Sequence, residues 1–420
     1  MTRMSTLRQT THETRNGILF EPFPLPCGVV LRNRIVKSAM SDSLGDGTGH
    51  PTQAQIGLYQ RWAEGGAALA IIGEVQGSGK FAEKPGNLVL DDSADLDRFK
   101  ALARAGAENG AGPWLQLGHA GALSYPPISA PKGPSALDLP GLICGELTQE
   151  EIEALPLEFA RTARLARNAG FGGVELHAAH GFLISQFLSP LFNRRTDRYG
   201  GAIDGRMRLL LDVVGAVRAA VGPDFPVALK LNSSDQLEGG FCETDALAVL
   251  AVLDGTGLDL IDVSGGTYFP GARSASDSGG RGPYFVDFAR RARNVTTKPL
   301  MTTGGFKTLA QAEEAVASGA VDLVGMARAL ALEPSLPNLW FARQLAKPAF
   351  PRFADPPEGG VTAWYTMRLT EIGEDRDLQA TGDLAQAIAA YDTRDRERTE
   401  IWLRHFSSTA QGEPGRKTAG

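Results

Sequence analysis

The sequence predicts an α/β protein built as a (β/α)8 TIM barrel with a C-terminal helical extension. Eight short segments that are apolar almost throughout alternate with helical stretches, as expected for strands covered on both faces. Several helical stretches end at a glycine, which a left-handed helix C-cap requires, shortly before the next strand. Eight such units favour a closed barrel over an open sheet, and no GxGxxG motif follows a strand as a Rossmann domain would require.

The predicted strands follow one another in regular succession. Their ranges are 34–39, 68–74, 114–118, 173–177, 227–232, 258–264, 299–303 and 321–327. Two of the intervening helices also show start signals. The segment "TQEE" at 148–151 forms a capping box, and Ser93 or Asp95 is a candidate N-cap for the helix that follows.

The chain outside the barrel is expected to form two further regions. Residues 1–17 form a polar N-terminal tail, and the barrel spans 18–345. A Pro/Gly-rich linker then leads into a helical extension over 346–420, with two helical runs predicted at 381–393 and 394–406. We expect this extension to pack on the barrel or on a neighbouring chain.

The composition argues against several kinds of partner and site. A formal net charge of −6, with acidic and basic residues interspersed, gives no basic surface for nucleic acid or anionic lipid. Cys27, Cys144 and Cys242 have no CxxC spacing, which argues against a disulfide framework, an iron–sulfur cluster or a structural zinc site. We see no signal peptide or membrane-spanning segment, so we expect a cytoplasmic protein. The number of subunits, a homo-oligomer included, stays open.

A phosphate site is predicted where the last two strands end, because barrel chemistry lies at the carboxyl ends of strands. Strand 7 ends in "TTGGFK", with Gly304 and Gly305, and strand 8 ends in "GMARAL", with Arg328. Backbone N–H groups of the glycines and the guanidinium of the arginine would together hold a phosphate. The alternative is that the glycines only form tight turns.

Two histidines, His177 and His180, stand where strand 4 ends in "VELHAAHGF". Imidazole N–H groups three residues apart on one turn would converge on a single oxygen atom and stabilise negative charge there. Alternatively they ligate a metal ion, although no HExxH motif or third well-spaced ligand is evident, or they are structural histidines that satisfy backbone groups.

Polar residues also interrupt the apolar strands 3 and 5. Lys230 lies within strand 5, where a buried lysine is either paired or directed at a negative ligand. Because burial lowers a lysine pKa, a Schiff-base lysine, as in a class I aldolase, is a second enzyme hypothesis. Gln116 on strand 3 would suit the amide edge of a heteroaromatic ring, or it bonds neighbouring backbone.

Five segments resemble the old yellow enzyme family of FMN-dependent NAD(P)H oxidoreductases, the ene-reductases. They are "RNRIVKSAMS", "WLQLGHAG", "VELHAAHGFLISQFLSPLFNRRTDRYGG", "KPLMTTGGF" and "VDLVGMARAL". The resemblance covers about residues 18–345 and implies tightly but non-covalently bound FMN, with NAD(P)H as hydride donor. Matching positions imply that FMN is held by Ser38, Ala39, Met40, Ser41, Val75, Gln116, Lys230, Gly304, Gly305, Ala327 and Arg328.

The resemblance also implies that His177 and His180 are the catalytic pair that binds the carbonyl oxygen of an α,β-unsaturated substrate. Many members carry a proton-donating Tyr where this chain has Phe182, and Tyr268 or Tyr125 is a candidate replacement. No metal ion is expected. The predicted substrate site comprises His177, His180, Phe182, Tyr268 and Ser43, the last at a position where one branch has a Tyr.

Two functions stay open within this resemblance. One is hydride transfer from NAD(P)H through FMN to an electron-poor alkene. The other is an NAD(P)H:acceptor oxidoreductase that reduces a quinone, a nitro compound or oxygen, with weak ene-reductase activity because Phe182 replaces the proton donor. Two further departures from the family pattern are Lys230 in place of an Arg, which keeps the charge but loses the planar two-pronged contact, and Ser41 in place of a Cys or Thr. A non-catalytic barrel that serves as a binding module is the alternative from another class.

Overall fold

The computed structural model describes residues 17–270, 272, 282–376 and 383–410, so most of the predicted N-terminal tail lies outside the described residues. All the predicted barrel strands are present and form one closed parallel barrel, which confirms the predicted fold class. We number them β1 (Ile35–Lys37), β2 (Leu69–Gln76), β3 (Gly112–Gly118), β4 (Gly173–Ala178), β5 (Val227–Asn232), β6 (Leu260–Ser264), β7 (Leu300–Thr303) and β8 (Leu323–Met326).

Each barrel strand pairs in parallel with the next one along the chain. The ring closes where β8 returns to β1, with Val324 opposite Ile35, and β1 in turn pairs with β2, with Val36 opposite Leu69. Because all these strands are parallel, their carboxyl ends meet at one mouth of the barrel.

Most of the α-helices connect successive strands and cover the outside of the barrel. In chain order, the α-helices are α1 (Gln53–Glu64), α2 (Leu96–Gly106), α3 (Gln149–Asn168), α4 (Leu183–Leu188), α5 (Ile203–Arg206), α6 (Arg208–Val221), α7 (Glu243–Leu253), α8 (Val286–Ala292), α9 (Leu309–Ala317), α10 (Arg328–Leu332), α11 (Leu336–Phe341), α12 (Gly360–Gly373) and α13 (Leu384–Ala410). The predicted capping box is present at the start of α3, where Thr148 and Glu151 each bond the backbone N–H of the other. Asp95, one of the two candidates, caps α2.

An apolar floor closes the end of the barrel opposite the mouth. It contains Leu69, Leu260 and Leu323, which are the first residues of β2, β6 and β8. An antiparallel hairpin of Phe23–Pro24 and Val30–Leu31 packs into the same cluster from below. The barrel is therefore filled with apolar side chains at this end, and its polar side chains collect at the mouth.

The loops after β2, β3 and β4 build up the rim of the mouth. A short strand, Leu88–Val89, adds to the carboxyl end of β2. The segment after β3 contains a small sheet of Lys132–Gly133, Leu137–Leu139 and Leu142–Glu146. The loop after β4 carries α4 and α5.

The C-terminal extension consists of α12 and α13. The prediction of separate helical runs at 381–393 and 394–406 was wrong, because one continuous helix runs from residue 384 to residue 410. No glycine or proline separates the two runs, so nothing in the chain ends the first helix.

Helix α13 packs on the loops that follow β1 and β2. The Arg398 guanidinium donates a hydrogen bond to the Ser43 carbonyl, and Trp402 is buried in a cluster with Ala82 and Val89. The extension is therefore joined to the rim of the mouth. In the described parts of the chain, no helix combines the length and the apolar character that crossing a membrane would need.

Candidate active site

The two histidines singled out in the sequence lie next to each other at the mouth of the barrel. Their ring centroids are 5.2 Å apart and their ring planes are at 83° to each other. His180 has a positive φ of 59°, and its backbone is held on both sides. Its N–H donates to Asn232 Oδ1 (3.1 Å), and its carbonyl accepts from the Tyr268 N–H (3.0 Å). The local backbone thus fixes the position of His180 relative to β5 and to the loop after β6.

Each imidazole has a hydrogen-bonding partner within the protein. His177 Nε2 lies 3.2 Å from Glu74 Oε1, and His180 Nε2 lies 2.8 Å from Ser264 Oγ. Burial, with a smaller effect of Lys230, lowers the pKa of His180 to about 3. Burial also lowers the pKa of His177 well below its ordinary value. Both rings are therefore neutral near pH 7, and an oxygen atom bound by both would replace Glu74 and Ser264 as their partner.

Lys230 is paired with carboxylates. Its Nζ donates to Asp262 and lies 3.7 Å from Glu175 Oε1, which also accepts a 2.7 Å hydrogen bond from Gln116. Burial acts to lower the pKa of Lys230, but the attraction of the two carboxylates outweighs it, so the pKa is raised. A Schiff-base lysine needs the opposite shift, which argues against the aldolase hypothesis.

Asp262, Thr303 and Glu175 belong to the same polar cluster. Thr303 lies in the predicted phosphate segment at the end of strand 7, whereas neither Asp262 nor Glu175 was singled out in the sequence. The Thr303 hydroxyl donates to Asp262 Oδ1 (2.8 Å) and lies 2.8 Å from Ser38 Oγ, so polar contacts run from β1 through β7 to β6. Asp262 lies directly opposite Lys230 in the pairing of β5 with β6. The available signal was one acidic residue inside each of two apolar strands, "GVELH" and "LIDVS".

Two further carboxyl groups, Glu74 and Glu83, lie near the histidines. Glu74, on β2, is buried, and burial together with repulsion from Glu83 and Glu175 raises its pKa well above the ordinary value. Glu83 accepts a hydrogen bond from the Ser41 side chain. Ser41, one of the predicted cofactor contacts, is thus held from the loop after β2.

The predicted phosphate-binding residues come together after β7 and β8. Gly304 and Gly305 have φ values of 115° and 83°, which favour glycine. Arg328 is half-buried at the start of α10, after Ala327, and its guanidinium lies 5.6 Å from the ring centroid of Tyr365. Within the described ranges, no carboxylate forms an ion pair with Arg328.

The remaining predicted residues lie on β2 and after β1. Val75 is fully buried in β2, and Ala39 and Met40 are half-buried immediately after β1. Ser43 is buried and contacts the C-terminal helix, since its carbonyl accepts the hydrogen bond from Arg398.

A cavity of about 190 Å³ opens beside the histidines. It is lined by Glu83, Lys84, Leu123, Tyr125, Pro126, Phe182 and Tyr268. The Phe182 ring lies 4.6 Å from the His177 ring, and the Tyr268 ring lies 5.9 Å from the His180 ring, so four of the predicted substrate-site residues are neighbours. Among the residues that the structure describes, no group of three or more His, Cys, Asp or Glu side chains could hold a metal ion.

Comparison with known proteins gives consistent matches over the barrel. The model of the NADH:flavin oxidoreductase / NADH oxidase family matches residues 18–342. The chain is 37% identical over 356 residues to an NADH-dependent flavin oxidoreductase of Neonectria sp. (strain DH2), with 76% of this chain and 46% of that protein covered. It is 36% identical over 352 residues to the protein of the same description from Hypocrea jecorina (strain QM6a), with 76% and 87% covered.

Among solved structures, the chain is similar to the old yellow enzyme homologue from Zymomonas mobilis. The TM-score is 0.69 at 25% sequence identity, and 83% of this chain and 98% of that chain are covered. The chain thus spans nearly the whole of this structure and most of the Hypocrea jecorina protein, but less than half of the Neonectria protein.

Proposed function

Because the chain belongs to the NADH:flavin oxidoreductase / NADH oxidase family, we propose that it passes hydride from NAD(P)H through FMN to an electron-poor alkene such as an α,β-unsaturated carbonyl compound. The family membership confirms the resemblance to the old yellow enzymes, and it implies an oxidoreductase with FMN as cofactor and NAD(P)H as donor. The acceptor is our proposal. It is supported above all by two neutral imidazoles that adjoin each other beside an aromatic cavity.

The residues at the mouth fit FMN. Gly304, Gly305 and Arg328 would hold the phosphate, because the glycine backbone can approach an anion closely and the guanidinium has no carboxylate partner in the described residues. The Lys230 ammonium has three N–H donors. Its contacts with the two carboxylates, Asp262 and Glu175, leave one N–H donor for the flavin ring of FMN. The other contacts would come from Ser38, Ala39, Met40, Ser41, Val75, Gln116 and Ala327.

When bound, FMN would supply the hydride chemistry, with NAD(P)H as the donor and the β-carbon of the acceptor as the destination. His177 and His180 would hold the carbonyl oxygen of the acceptor between their N–H groups. Two donors in a buried site stabilise the negative charge that develops on this oxygen during hydride transfer. Since burial lowers the pKa of His180 to about 3, the pair acts as neutral hydrogen-bond donors and does not titrate near neutral pH.

A second class of acceptor comprises quinones, nitro compounds and oxygen. Phe182 favours it, because phenylalanine has no proton to give to the α-carbon of an alkene. Reduction of these acceptors adds protons to oxygen or nitrogen atoms, which exchange protons readily with water. The choice between the two classes therefore depends on whether another residue supplies a proton to carbon.

The acceptor can be identified by reoxidation of the reduced holoprotein. The protein is reduced with NADPH or NADH without oxygen and then mixed with 2-cyclohexenone or with a quinone, while the visible absorbance of the flavin is followed. We expect the enone to reoxidise it faster than buffer does. The His177→Ala/His180→Ala double variant should lose this rate by roughly 10²-fold or more, because both donors to the oxygen are gone.

His50→Ala is a suitable control, since His50 bonds the Asp95 N–H at the start of α2 and not the cavity. It should behave like the wild type. An enone rate no faster than that of buffer would reject alkene reduction and leave the quinone or nitro acceptor as the function.

A further inference from the structure

Reduction of an alkene needs a proton at the α-carbon as well as a hydride at the β-carbon. An inference about the source of this proton rests on the proposed function, because it concerns the same acceptor in the same site. Phe182, which stands where many old yellow enzymes have a proton-donating tyrosine, cannot provide it. Transfer of a proton to carbon benefits strongly from a positioned acid, so an acid elsewhere on the cavity wall would restore the reaction.

Two tyrosines line the cavity, and their surroundings differ. Tyr125 belongs to the loop after β3, and the Lys84 ammonium lies 4.9 Å from its ring centroid. Tyr268 is tied to the catalytic pair, because its N–H donates to the His180 carbonyl at 3.0 Å. Its ring centroid lies 5.9 Å from that of His180 and 6.1 Å from that of Phe182. Of the two tyrosines, Tyr268 is therefore the one that lies against both His180 of the catalytic pair and Phe182, which replaces the usual proton donor.

Glu74 and Glu83 are the other acids close to the histidines. Glu83 accepts a hydrogen bond from the Ser41 side chain, and Glu74 faces His177 as an acceptor. His177 Nδ1 accepts a hydrogen bond from the Ala179 N–H (3.3 Å), so the proton of the neutral ring is on Nε2. Nε2 then donates to Glu74 Oε1 at 3.2 Å. Glu74 is also only 3% exposed, so water has little access to replace a proton that it gave away.

We propose that Tyr268 is the catalytic acid that protonates the α-carbon. The hydride brings its electron pair to the β-carbon, the π electrons of the alkene move towards the carbonyl oxygen, and His177 and His180 stabilise the resulting enolate. The Tyr268 O–H bond then breaks as a C–H bond forms at the α-carbon. The alkene gains two hydrogens, and NAD(P)H is oxidised to NAD(P)⁺.

The position of Tyr268 also allows its proton to be replaced. The residue is 62% exposed, in contrast to Phe182 at 2%. Burial of the phenol oxygen, together with repulsion from Glu83 and Glu74, raises the pKa of Tyr268 to about 12, which favours its reprotonation. The phenolate left after the transfer can therefore take a proton from water, which completes the cycle without a further residue.

The test compares Tyr268→Phe with the wild type by reoxidation of the reduced holoprotein with 2-cyclohexenone and with a quinone. A general acid contributes about 10²–10⁴-fold, so the enone rate should fall by at least roughly 10²-fold. The quinone rate should stay within about twofold, because its oxygen atoms take protons from water. Tyr125→Phe should change both rates by the same factor. Phe182→Tyr, added to Tyr268→Phe, should restore at least a tenth or so of the wild-type enone rate, because it supplies a phenol at the usual position.

Three results in these rate measurements would overturn the assignment. An unchanged enone rate in Tyr268→Phe, with an active wild type, would show that water or another residue gives the proton, and the proposed function would stand. Equal losses with enone and quinone would show that Tyr268 supports binding instead. A wild type that reduces the quinone but not the enone would overturn the proposed function and this assignment together.

Two further measurements do not depend on rate: the configuration of the reduced product, and the absorbance of the oxidised protein with a bound phenol. With 2-methyl-2-cyclohexenone, a fixed acid should give one configuration at the α-carbon, and Tyr268→Phe should give a mixture. Titration of the oxidised protein with a phenol should produce the same long-wavelength absorbance in both proteins, because stacking and the histidine contacts are retained. A mixture already from the wild type would contradict a fixed acid.

Discussion

The substitution Lys37→Met is expected to change how the stability of the protein depends on pH. Lys37 is fully buried on β1, where its Nζ donates to the Ser38 carbonyl (2.7 Å) and lies 4.2 Å from the ring centroid of Trp62. No carboxylate in the described residues forms an ion pair with it. Burial therefore lowers the pKa of Lys37 to about 7, and the attraction of Asp42 only partly opposes this.

The sign of the effect follows from the protons bound by each state. In the unfolded chain a lysine keeps its proton up to its ordinary pKa of 10.5, whereas the folded protein releases the Lys37 proton above about pH 7. The unfolded chain thus binds more protons in this interval, so the free energy of unfolding rises with pH. Each pH unit is worth roughly 1.4 kcal/mol, which gives about 2 kcal/mol between pH 6 and about pH 8.5.

The assay is urea-induced unfolding of the wild type and Lys37→Met at several pH values, with FMN at the same concentration. The free energy of unfolding of Lys37→Met relative to that of the wild type should be largest at the lowest pH. This difference should shrink by about 2 kcal/mol as the pH rises from 6 to about 8.5. Lys100→Met is the matched control, since Lys100 is an exposed residue of α2 that pairs with Asp97. A stability difference between Lys37→Met and the wild type that does not vary with pH would refute the reasoning.

Three further substitutions test other parts of the site and its support. Arg328→Gln should weaken FMN binding by about 10- to 100-fold, as measured by fluorescence titration of the apoprotein, because a charged hydrogen bond to phosphate is lost. Lys230→Met should lower the free energy of unfolding by roughly 3–5 kcal/mol, because Asp262 remains buried without its cation; an unchanged unfolding midpoint would contradict this. Trp402→Ala should cost about 3–5 kcal/mol by leaving a cavity, whereas the exposed Leu403→Ala should stay within about 0.5 kcal/mol.

The barrel strands were predictable because each is short, apolar and followed by a helix. The partners of Lys230 were not, because the pairing of neighbouring strands must be known before Asp262 can be placed opposite it. A strand buried on both faces lacks the alternation of polar and apolar residues that fixes register in a half-exposed sheet. The sequence thus indicated that Lys230 needs a partner without identifying that partner.

The contacts around the histidines were less predictable for a related reason. The hydrogen bond between His177 and Glu74 joins β4 to β2, and Tyr268 reaches His180 from the loop after β6. Such contacts depend on the folded arrangement and leave no trace in local spacing. Helix α12 was missed because its residues include aromatic and β-branched types of modest helix propensity, which are buried in the structure.

The pKa values of two buried lysines near the mouth differ because their neighbouring side chains differ. Lys37 and Lys230 are almost equally buried, yet the pKa of Lys37 is lowered to about 7 and that of Lys230 is raised. The difference is that Asp262 and Glu175 contact only Lys230. Burial raises the pKa of Glu175 to about 7, so a negative ligand beside Lys230 would favour uptake of a proton by Glu175. The cluster can thereby change its net charge by one without moving the backbone, which suits a cofactor whose own charge changes during the reaction.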